Sequence, residues 1–192
     1  MNYKTKEIEI INLIENHPNM SGFNYQPPKF KDSFTTQHHV SSMIGAFLSN
    51  QRPWKAIEDN WSNIREIFFD FDPDEILFKI NSTGYMYFVE ELCKISCGNR
   101  GINFQMKNLE HNIKLLLSFD RGNGSIDTYY RKFSTKDLVK NLSNSKSKNK
   151  IIGMGVALLC EYLKNVGIDV AKPDVHIKRI LGSERLGYSN KK

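Results

Sequence analysis

The sequence lacks any long apolar run, and this absence excludes a membrane-spanning helix. Its apolar runs are short, such as Val156–Cys160, whereas a helix that crosses a bilayer needs about 20 apolar residues. Residues 1–10 carry charges within their first apolar stretch, so we predict no secretory signal. Cysteine is also scarce, since 3 residues cannot form a full disulfide framework or a four-cysteine metal site. We therefore expect a protein of the reducing cytoplasm.

The charge is basic and unevenly distributed. Lys and Arg number 27 against 21 Asp and Glu, so the net charge is +6 and the pI is about 9.1. Residues 132–150 carry six lysines and a single acid, Asp137. A local excess of this kind favours a polyanionic partner more than the total charge does.

Apolar residues recur at helical spacing along most of the chain. Residues 40, 43, 44, 47 and 48 follow the i, i+3, i+4, i+7, i+8 pattern of one buried helix face. Similar stripes predict further helices, over residues 57–68, 88–95, 106–117 and 158–166. No stretch alternates with a period of two, so we predict an all-α fold.

Three polar stretches interrupt these stripes. Residues 81–84 and 121–125 contain glycine and predict turns or loops, and residues 141–149 predict a polar connector. Gly167 predicts the end of the last helix.

The sequence Gly153-Met154-Gly155 stands between that connector and the last helical stripe. A Gly-x-Gly turn at the start of a helix exposes backbone N–H groups that can bind a phosphate, aided by the helix dipole. Glycine suits this role because a Cβ would block the approach of the anion. An ordinary tight turn is the alternative explanation of the same motif.

A second motif follows the last helical stripe. Residues 173–176 are Pro-Asp-Val-His, and an apolar helical face continues through Ile177, Ile180 and Leu181. Asp174 follows Gly155 by 19 residues. With this spacing between the glycine turn and the Asp, the sequence resembles the helix-hairpin-helix DNA glycosylase superfamily of base-excision repair. Residues 47–51, Phe-Leu-Ser-Asn-Gln, and the Thr83-Gly84-Tyr85 turn also resemble that family, whereas residues 118–149 match it poorly.

The resemblance implies a mechanism. Such enzymes rotate a damaged nucleotide out of the duplex and hydrolyse its N-glycosidic bond. Asp174 would be the catalytic carboxylate that stabilises the cationic sugar, although an Asp before a helix is also a common N-cap. The DNA backbone would be contacted by Gly153, Met154, Gly155 and Lys150. His176 and Lys178, further along the chain, would also contact the DNA.

Two further groups of candidates follow from the resemblance. Gln51 would fill the gap left by the extruded nucleotide, with Asn50 as the alternative. Trp54 and Tyr85 could stack on the extruded base, although aromatic residues at helical spacing are more often part of the core.

The sequence departs from the family in three ways, one of which is that only 18 residues follow Asp174, where members of the family usually continue with further helices. Ala157 occupies the position at which bifunctional members carry a Schiff-base lysine, so the resemblance predicts a monofunctional enzyme without lyase activity. The four-cysteine iron–sulfur motif is missing.

We expect Cys93 and Cys97 to be buried thiols, and His38 and His39 to be surface residues. No metal site is predicted, although the resemblance implies a monovalent cation on the carbonyl groups of the hairpin.

The sequence therefore predicts a monofunctional DNA glycosylase that removes an alkylated or oxidised purine. We expect one domain of residues 1–192, with two small lobes around a cleft. The main lobe covers residues 35–165 and carries the hairpin at 150–159, and residues 1–34 and 166–192 form a reduced second lobe. The expected partner is double-stranded DNA, bound by a monomer associated with the nucleoid. The alternatives are a DNA-binding protein without catalysis and a helical adaptor between proteins.

Overall fold

The computed structural model describes residues 34–172. Over this range the chain forms ten α-helices and one 3-10 helix, without a strand. This confirms the all-α prediction for the described residues. Most of the predicted second lobe lies outside them, so the arrangement of two lobes around a cleft stays a prediction.

The helices are short, and the first of them is central. They are α1 (Thr36–Leu48), α2 (Trp54–Glu58), α3 (Trp61–Ile67), a 3-10 turn (Phe69–Phe71), α4 (Pro73–Thr83), α5 (Met86–Lys94), α6 (Ile102–Lys107), α7 (Leu109–Asn123), α8 (Ile126–Tyr130), α9 (Thr135–Ser143) and α10 (Val156–Asn165). Helix α1 packs against α4, α6, α7 and α10.

Helix α1 forms where its apolar stripe predicted it. Every member of that stripe, from Val40 to Leu48, is fully buried. The helix begins at a capping box in which Thr35 Oγ1 accepts the His38 N–H at 3.3 Å, and His38 Nδ1 accepts the Thr35 N–H at 3.4 Å. A capped, wholly apolar face explains why this helix lies at the centre of the core.

Two predicted helices are each broken into two. The stripe of residues 57–68 is interrupted between α2 and α3, and that of residues 106–117 between α6 and α7. An asparagine causes each break. The Nδ2 groups of Asn60 and Asn108 donate to the carbonyl oxygens four residues earlier, at 3.0 and 2.8 Å, and so occupy acceptors that a continuous helix would use.

Two predicted turns are in fact helical. Residues 81–83 form the last turn of α4, and residues 121–123 form the last turn of α7. The helices stop one residue later, at Gly84 (φ 80°) and Gly124 (φ 79°). Positive φ is accessible to glycine at little cost, so the helix ends at the glycine while the polar residues before it remain helical.

The predicted polar connector, residues 141–149, is a hydrogen-bonded turn that begins within α9. The hydroxyl of Tyr129 accepts the side-chain amides of Asn141 and Asn149 at 3.1 and 3.0 Å, and Ser147 Oγ donates to Asn141 Oδ1 at 3.0 Å. The polar side chains therefore bind one another and fix the chain that leads to the hairpin.

A chain of polar side chains crosses the core, and it corrects the prediction that His39 lies on the surface. His39 is fully buried. Its Nε2 lies 3.1 Å from Asp127 Oδ1, its Nδ1 lies 2.8 Å from the Tyr162 hydroxyl, and that hydroxyl lies 2.8 Å from the one on Tyr130. A carboxylate can only accept, so Nε2 donates to Asp127. These bonds join α1, α8 and α10.

Burial and hydrogen bonding shift the pKa values of Asp127, Tyr130 and Tyr162. Burial disfavours the charge of Asp127, but the hydrogen bonds from His39 and from the Phe34 N–H (2.5 Å) outweigh it, and the pKa of the carboxyl is lowered. Burial raises the pKa of both Tyr130 and Tyr162, so their hydroxyls stay protonated.

We predict that Asp127→Asn lowers the free energy of unfolding by about 2–4 kcal/mol near neutral pH, because the buried His39 loses its carboxylate partner. The lowered pKa of Asp127 stabilises the fold above the ordinary Asp value of about 3.9, and this stabilisation is lost as the pH falls through the lowered value. Urea unfolding between pH 2.5 and 7 should therefore show a shallower acid dependence in the variant. The exposed Asp169 supplies the control, Asp169→Asn, and equal pH profiles in all three proteins would contradict the prediction.

Candidate nucleic-acid interface

The glycine motif forms a closed turn anchored by its apolar neighbours. The Ile151 N–H donates to the Leu142 carbonyl oxygen at 2.9 Å, and the Met154 N–H donates to the Ile151 carbonyl oxygen at 3.3 Å. Ile151 and Met154 are 0% and 2% exposed, so their side chains hold the turn against the core. The predicted hairpin segment before α10 is thus a hydrogen-bonded turn packed against the core.

Asn112 of α7 fixes the hairpin from below, a role that the sequence did not reveal. This side chain is fully buried. Its Oδ1 accepts the Ile152 N–H at 2.8 Å, and its Nδ2 donates to the Ile152 carbonyl oxygen at 2.9 Å. One amide therefore satisfies both backbone groups of a residue at the turn.

The two glycines of the motif serve different purposes. Gly153 has φ 91°, and a Cβ there would lie 3.2 Å from Gln105 Cγ and 3.3 Å from Phe47 Cε1. Gly155 has φ −81°, and a Cβ there would meet nothing within 4 Å. Gly153 is therefore required by the fold, whereas Gly155 leaves open space in front of α10.

The N-terminus of α10 has the features of an anion site. Gly155 is its N-cap and provides no side-chain cap, and the first turn contains no acidic residue. The first helical hydrogen bond of α10 joins the Leu159 N–H to the Gly155 carbonyl oxygen, so the preceding amides have no helical acceptor. Gly155 is exposed, and Val156 is 46% exposed. These N–H groups and the helix dipole favour an anion such as phosphate.

Lysines that precede the hairpin add positive charge. Lys150 is half-buried, and Lys146 and Lys148 are exposed. None of the three forms an ion pair with another residue of the range 34–172. Their charge is therefore available to a polyanion.

Asn50 and Gln51, which the sequence predicts to contact DNA, lie in a turn that follows α1. The Asn50 N–H and the Asn99 Nδ2 both donate to the Phe47 carbonyl oxygen, at 3.2 and 2.8 Å. Gln51 is exposed and has φ 58°. A residue other than glycine in the left-handed region is strained by about 1 kcal/mol, and such strain is often found at functional positions.

Helix α6 joins this turn to the hairpin. A Cβ on Gly101, the N-cap of α6, would lie 3.5 Å from Asn50 Nδ2 and 3.5 Å from Gln105 Cδ. Gln105 also contacts Gly153, as described above. Asn50 and Gly153, one predicted DNA contact from each segment, therefore both lie next to one short helix, which the sequence did not predict.

Gln105 carries an unsatisfied polar atom. The residue is 2% exposed, and its Oε1 is buried with no hydrogen-bond partner among the described residues. A buried acceptor without a donor costs about 1–3 kcal/mol. Within residues 34–172, this acceptor beside the hairpin is therefore unpaired.

Of the other predicted site residues, the structure describes Trp54 and Tyr85. Trp54 is 48% exposed and lies 6.0 Å from Trp61 between ring centroids. Tyr85 is the N-cap of α5 and packs against the core. Asp174, His176 and Lys178 lie outside the described residues.

A cavity lies elsewhere in the fold. It has a volume of about 340 Å³, and Phe34, Phe133, Val166 and Asp169 are among the residues that line it. Asp127, a member of the buried polar chain, also reaches it. No residue of the hairpin contributes to its wall.

The cysteines and carboxylates form no metal site within residues 34–172, where no three potential ligands come together. Cys97 and Cys160 are buried, and burial raises the pKa of both thiols. Cys93 is exposed, contrary to the expectation that it is buried. It lies on α5, while Cys97 follows the end of that helix, so the two residues do not share a helix face.

Family models, curated proteins and solved structures were compared with the chain, and no match was found. None of the helices between residues 34 and 172 has the length and apolar character needed to cross a membrane.

We predict that the two glycine variants affect different properties, namely stability for Gly153→Ala and DNA affinity for Gly155→Ala. Gly153→Ala should lower the free energy of unfolding by about 1–3 kcal/mol, because it combines a positive φ with contacts to Gln105 and Phe47. Gly155→Ala should leave thermal unfolding unchanged and weaken the binding of duplex DNA, since its methyl group occupies the open approach to the α10 amides. Equal unfolding temperatures for the two variants, or full DNA affinity in Gly155→Ala, would contradict these assignments.

We also predict that Gln51→Gly separates stability from DNA distortion. Glycine relieves the left-handed strain, so the free energy of unfolding should stay level or rise by up to about 1 kcal/mol. Nucleotide extrusion should become weaker, because no side chain remains to fill the gap in the duplex. A fluorescent base opposite an abasic-site analogue reports the extrusion, and unchanged fluorescence would exclude Gln51 from this role.

Proposed function

We propose that this chain is a DNA-binding N-glycosylase of the helix-hairpin-helix type, which hydrolyses the N-glycosidic bond of a damaged purine without lyase chemistry. The observation that carries the proposal is the hairpin before α10, where an uncapped helix N-terminus follows a turn held by Asn112. The resemblance of residues 173–176 to the catalytic segment of that superfamily supplies the enzymatic part.

Phosphate binding is the step that the described residues support most directly. The exposed amides at Gly155 and Val156 can donate to phosphate oxygens while the dipole of α10 favours the negative charge. Lys146, Lys148 and Lys150 would add contacts through charge alone. Affinity for DNA should therefore fall steeply with salt, because each neutralised phosphate releases counterions.

Nucleotide extrusion would use the neighbouring turn. Asn50 lies beside Gly101, and Gln105 of the same helix lies beside Gly153 of the hairpin. A duplex held at α10 would then pass Asn50 and the strained Gln51 that follows it. An enzyme that unstacks a nucleotide loses a few kcal/mol of stacking. A side chain that fills the gap offsets part of that loss.

Bond cleavage would depend on Asp174. The C1′–N bond breaks with its electron pair leaving on the base nitrogen, and the sugar becomes cationic. The carboxylate stabilises this charge and accepts a proton from the water whose oxygen bonds to C1′. Ala157, in the first turn of α10, provides no amine at the position of the family's Schiff-base lysine, so water is the expected nucleophile.

We predict that Asp174→Asn reduces base release by at least about 100-fold, with DNA affinity retained, because the amide cannot carry the negative charge or take the proton. The substrates are duplex oligonucleotides with a single alkylated or oxidised purine, and the products are the free base and an abasic site. Asp169→Asn, an exposed carboxyl just after α10, is the matched control and should match the unmodified chain.

Each alternative function has its own outcome in this experiment. Base release by Asp174→Asn at the normal rate would remove Asp174 from the mechanism. Salt-sensitive DNA binding without base release from any protein would favour a DNA-binding protein without catalysis. Absence of DNA affinity beyond that of a protein of equal charge would exclude both and favour an adaptor.

A further inference from the structure

The exposed face of α9 carries two lysines. Leu138 and Leu142 are buried and hold the helix in the core, where it packs against α10. Lys136 and Lys140 stand two positions before these leucines, so they lie on the opposite side of the helix, and both are exposed. A helix that packs beside α10 therefore presents positive charge to solvent.

The charge of these two lysines is not neutralised by a neighbouring acid. Neither forms an ion pair with another residue of the part of the chain that the structure describes. Asp137 is near enough in sequence to pair with Lys140, but its Oδ2 accepts the Ser134 hydroxyl at 2.6 Å. Elsewhere such pairs do form, as between Lys114 and Glu110 at 2.6 Å. Like charges four positions apart repel each other, so an anionic partner would stabilise this face of α9.

Hydrogen bonds connect the end of α9 to the start of the hairpin. The Asn144 N–H donates to the Lys140 carbonyl oxygen at 3.1 Å, and the Lys146 N–H donates to Asn144 Oδ1 at 2.9 Å. The Ile151 N–H donates to the Leu142 carbonyl oxygen at 2.9 Å, which closes the turn between them. Lys140 and Lys146 are therefore linked through Asn144 at the point where α9 meets the hairpin segment.

The composition of this region matches the backbone of a nucleic acid. Its lysine surface is defined by four exposed residues, Lys136 and Lys140 of α9 and Lys146 and Lys148 of the turn that follows. Residues 138–155 contain four lysines, no acid and no exposed large apolar side chain. The exposed side chains between Lys140 and Lys146 are those of Asn144 and Ser145. Lysine, asparagine and serine all bind phosphate and sugar oxygens of DNA, whereas a membrane surface also requires apolar side chains.

We propose that α9 is part of the DNA interface, and that the lysine surface binds phosphates of duplex DNA beyond the hairpin whether or not the DNA is damaged. Lysine contacts a phosphate as a point charge, so this binding does not depend on the base sequence. Such contacts hold a protein on undamaged DNA and allow it to slide along the duplex. This inference rests on the DNA-binding part of the proposed function and is independent of base release.

The test compares two double variants of the full chain. One combines Lys136→Gln with Lys140→Gln. The control combines Lys55→Gln with Lys114→Gln, which removes the same net charge from exposed lysines that form ion pairs elsewhere. The probe is an undamaged duplex with a fluorescent end label, and its affinity is measured by anisotropy over a range of salt concentrations. Both double variants should unfold at the normal temperature, because all four side chains are exposed.

We expect the α9 double variant to bind the duplex about 5- to 50-fold more weakly and to reduce the slope of affinity against salt by about two ions, because two phosphates are no longer neutralised. A duplex that contains an abasic-site analogue should lose affinity by the same factor, since these contacts do not depend on damage. Lys136→Arg with Lys140→Arg should restore both values because it keeps the charge. The control should have the slope of the unmodified chain.

The outcomes separate this inference from the proposed function. A normal salt slope in the α9 double variant, or equal losses in both double variants, would refute a role for α9 and leave the proposed function intact. Binding of anionic lipid vesicles as tightly as the duplex would also overturn the inference. No salt-sensitive DNA binding by the unmodified chain would refute both. The expected loss of affinity without base release from any protein would support the inference and refute the enzymatic part of the proposed function.

Discussion

The close approach of Gly153 to Phe47 and Gln105 is the contact on which the candidate interface depends. A side chain at Gly153 would lie 3.2 and 3.3 Å from these two residues, so the hairpin can rest on α1 and α6 only because residue 153 has none. This contact brings the segment before α10 and the turn after α1 close to one short helix, α6. Asn112 then fixes the turn by satisfying both backbone groups of Ile152. Interior packing transmits small displacements, so a shift at this contact would move every predicted DNA-binding group among the described residues.

The buried polar chain performs a related task deeper in the fold. His39, Asp127, Tyr162 and Tyr130 connect α1, α8 and α10 by directional bonds, whereas apolar packing alone would hold these helices less specifically. Helix α10 carries the candidate anion site at its first turn and Tyr162 near its end. The hydrogen bonds of the core thus hold the same helix that the hairpin presents to solvent.

Hydrophobic spacing predicted most of the described helices because burial of an apolar face is a local property of the sequence. It failed where a single side chain competed with the backbone. Asn60 and Asn108 do not contribute to an apolar pattern. Their side-chain amides nevertheless donate to the carbonyl oxygens that would have accepted backbone N–H groups if α2 and α6 had continued. It also failed for residues 81–83 and 121–123, since polar composition suggests a turn while the backbone continues to the next glycine. Of the candidate site, the glycine turn and Asn50–Gln51 were predicted, but Asn112 and Gln105 were not, because neither belongs to a recognisable motif.

The helical fold class, the apolar face of α1, the glycine turn before α10 and the local excess of lysine could all be read from the sequence, because each depends on spacing or composition along a short stretch. Which segments meet could not, and became known from the packing of the helices. Residues far apart in the chain meet where His39 is buried beside Asp127, where Asn112 binds Ile152, and where α6 contacts Asn50 and Gly153. Such contacts depend on how the helices pack, and packing is set by the combined shapes of many side chains rather than by any local pattern.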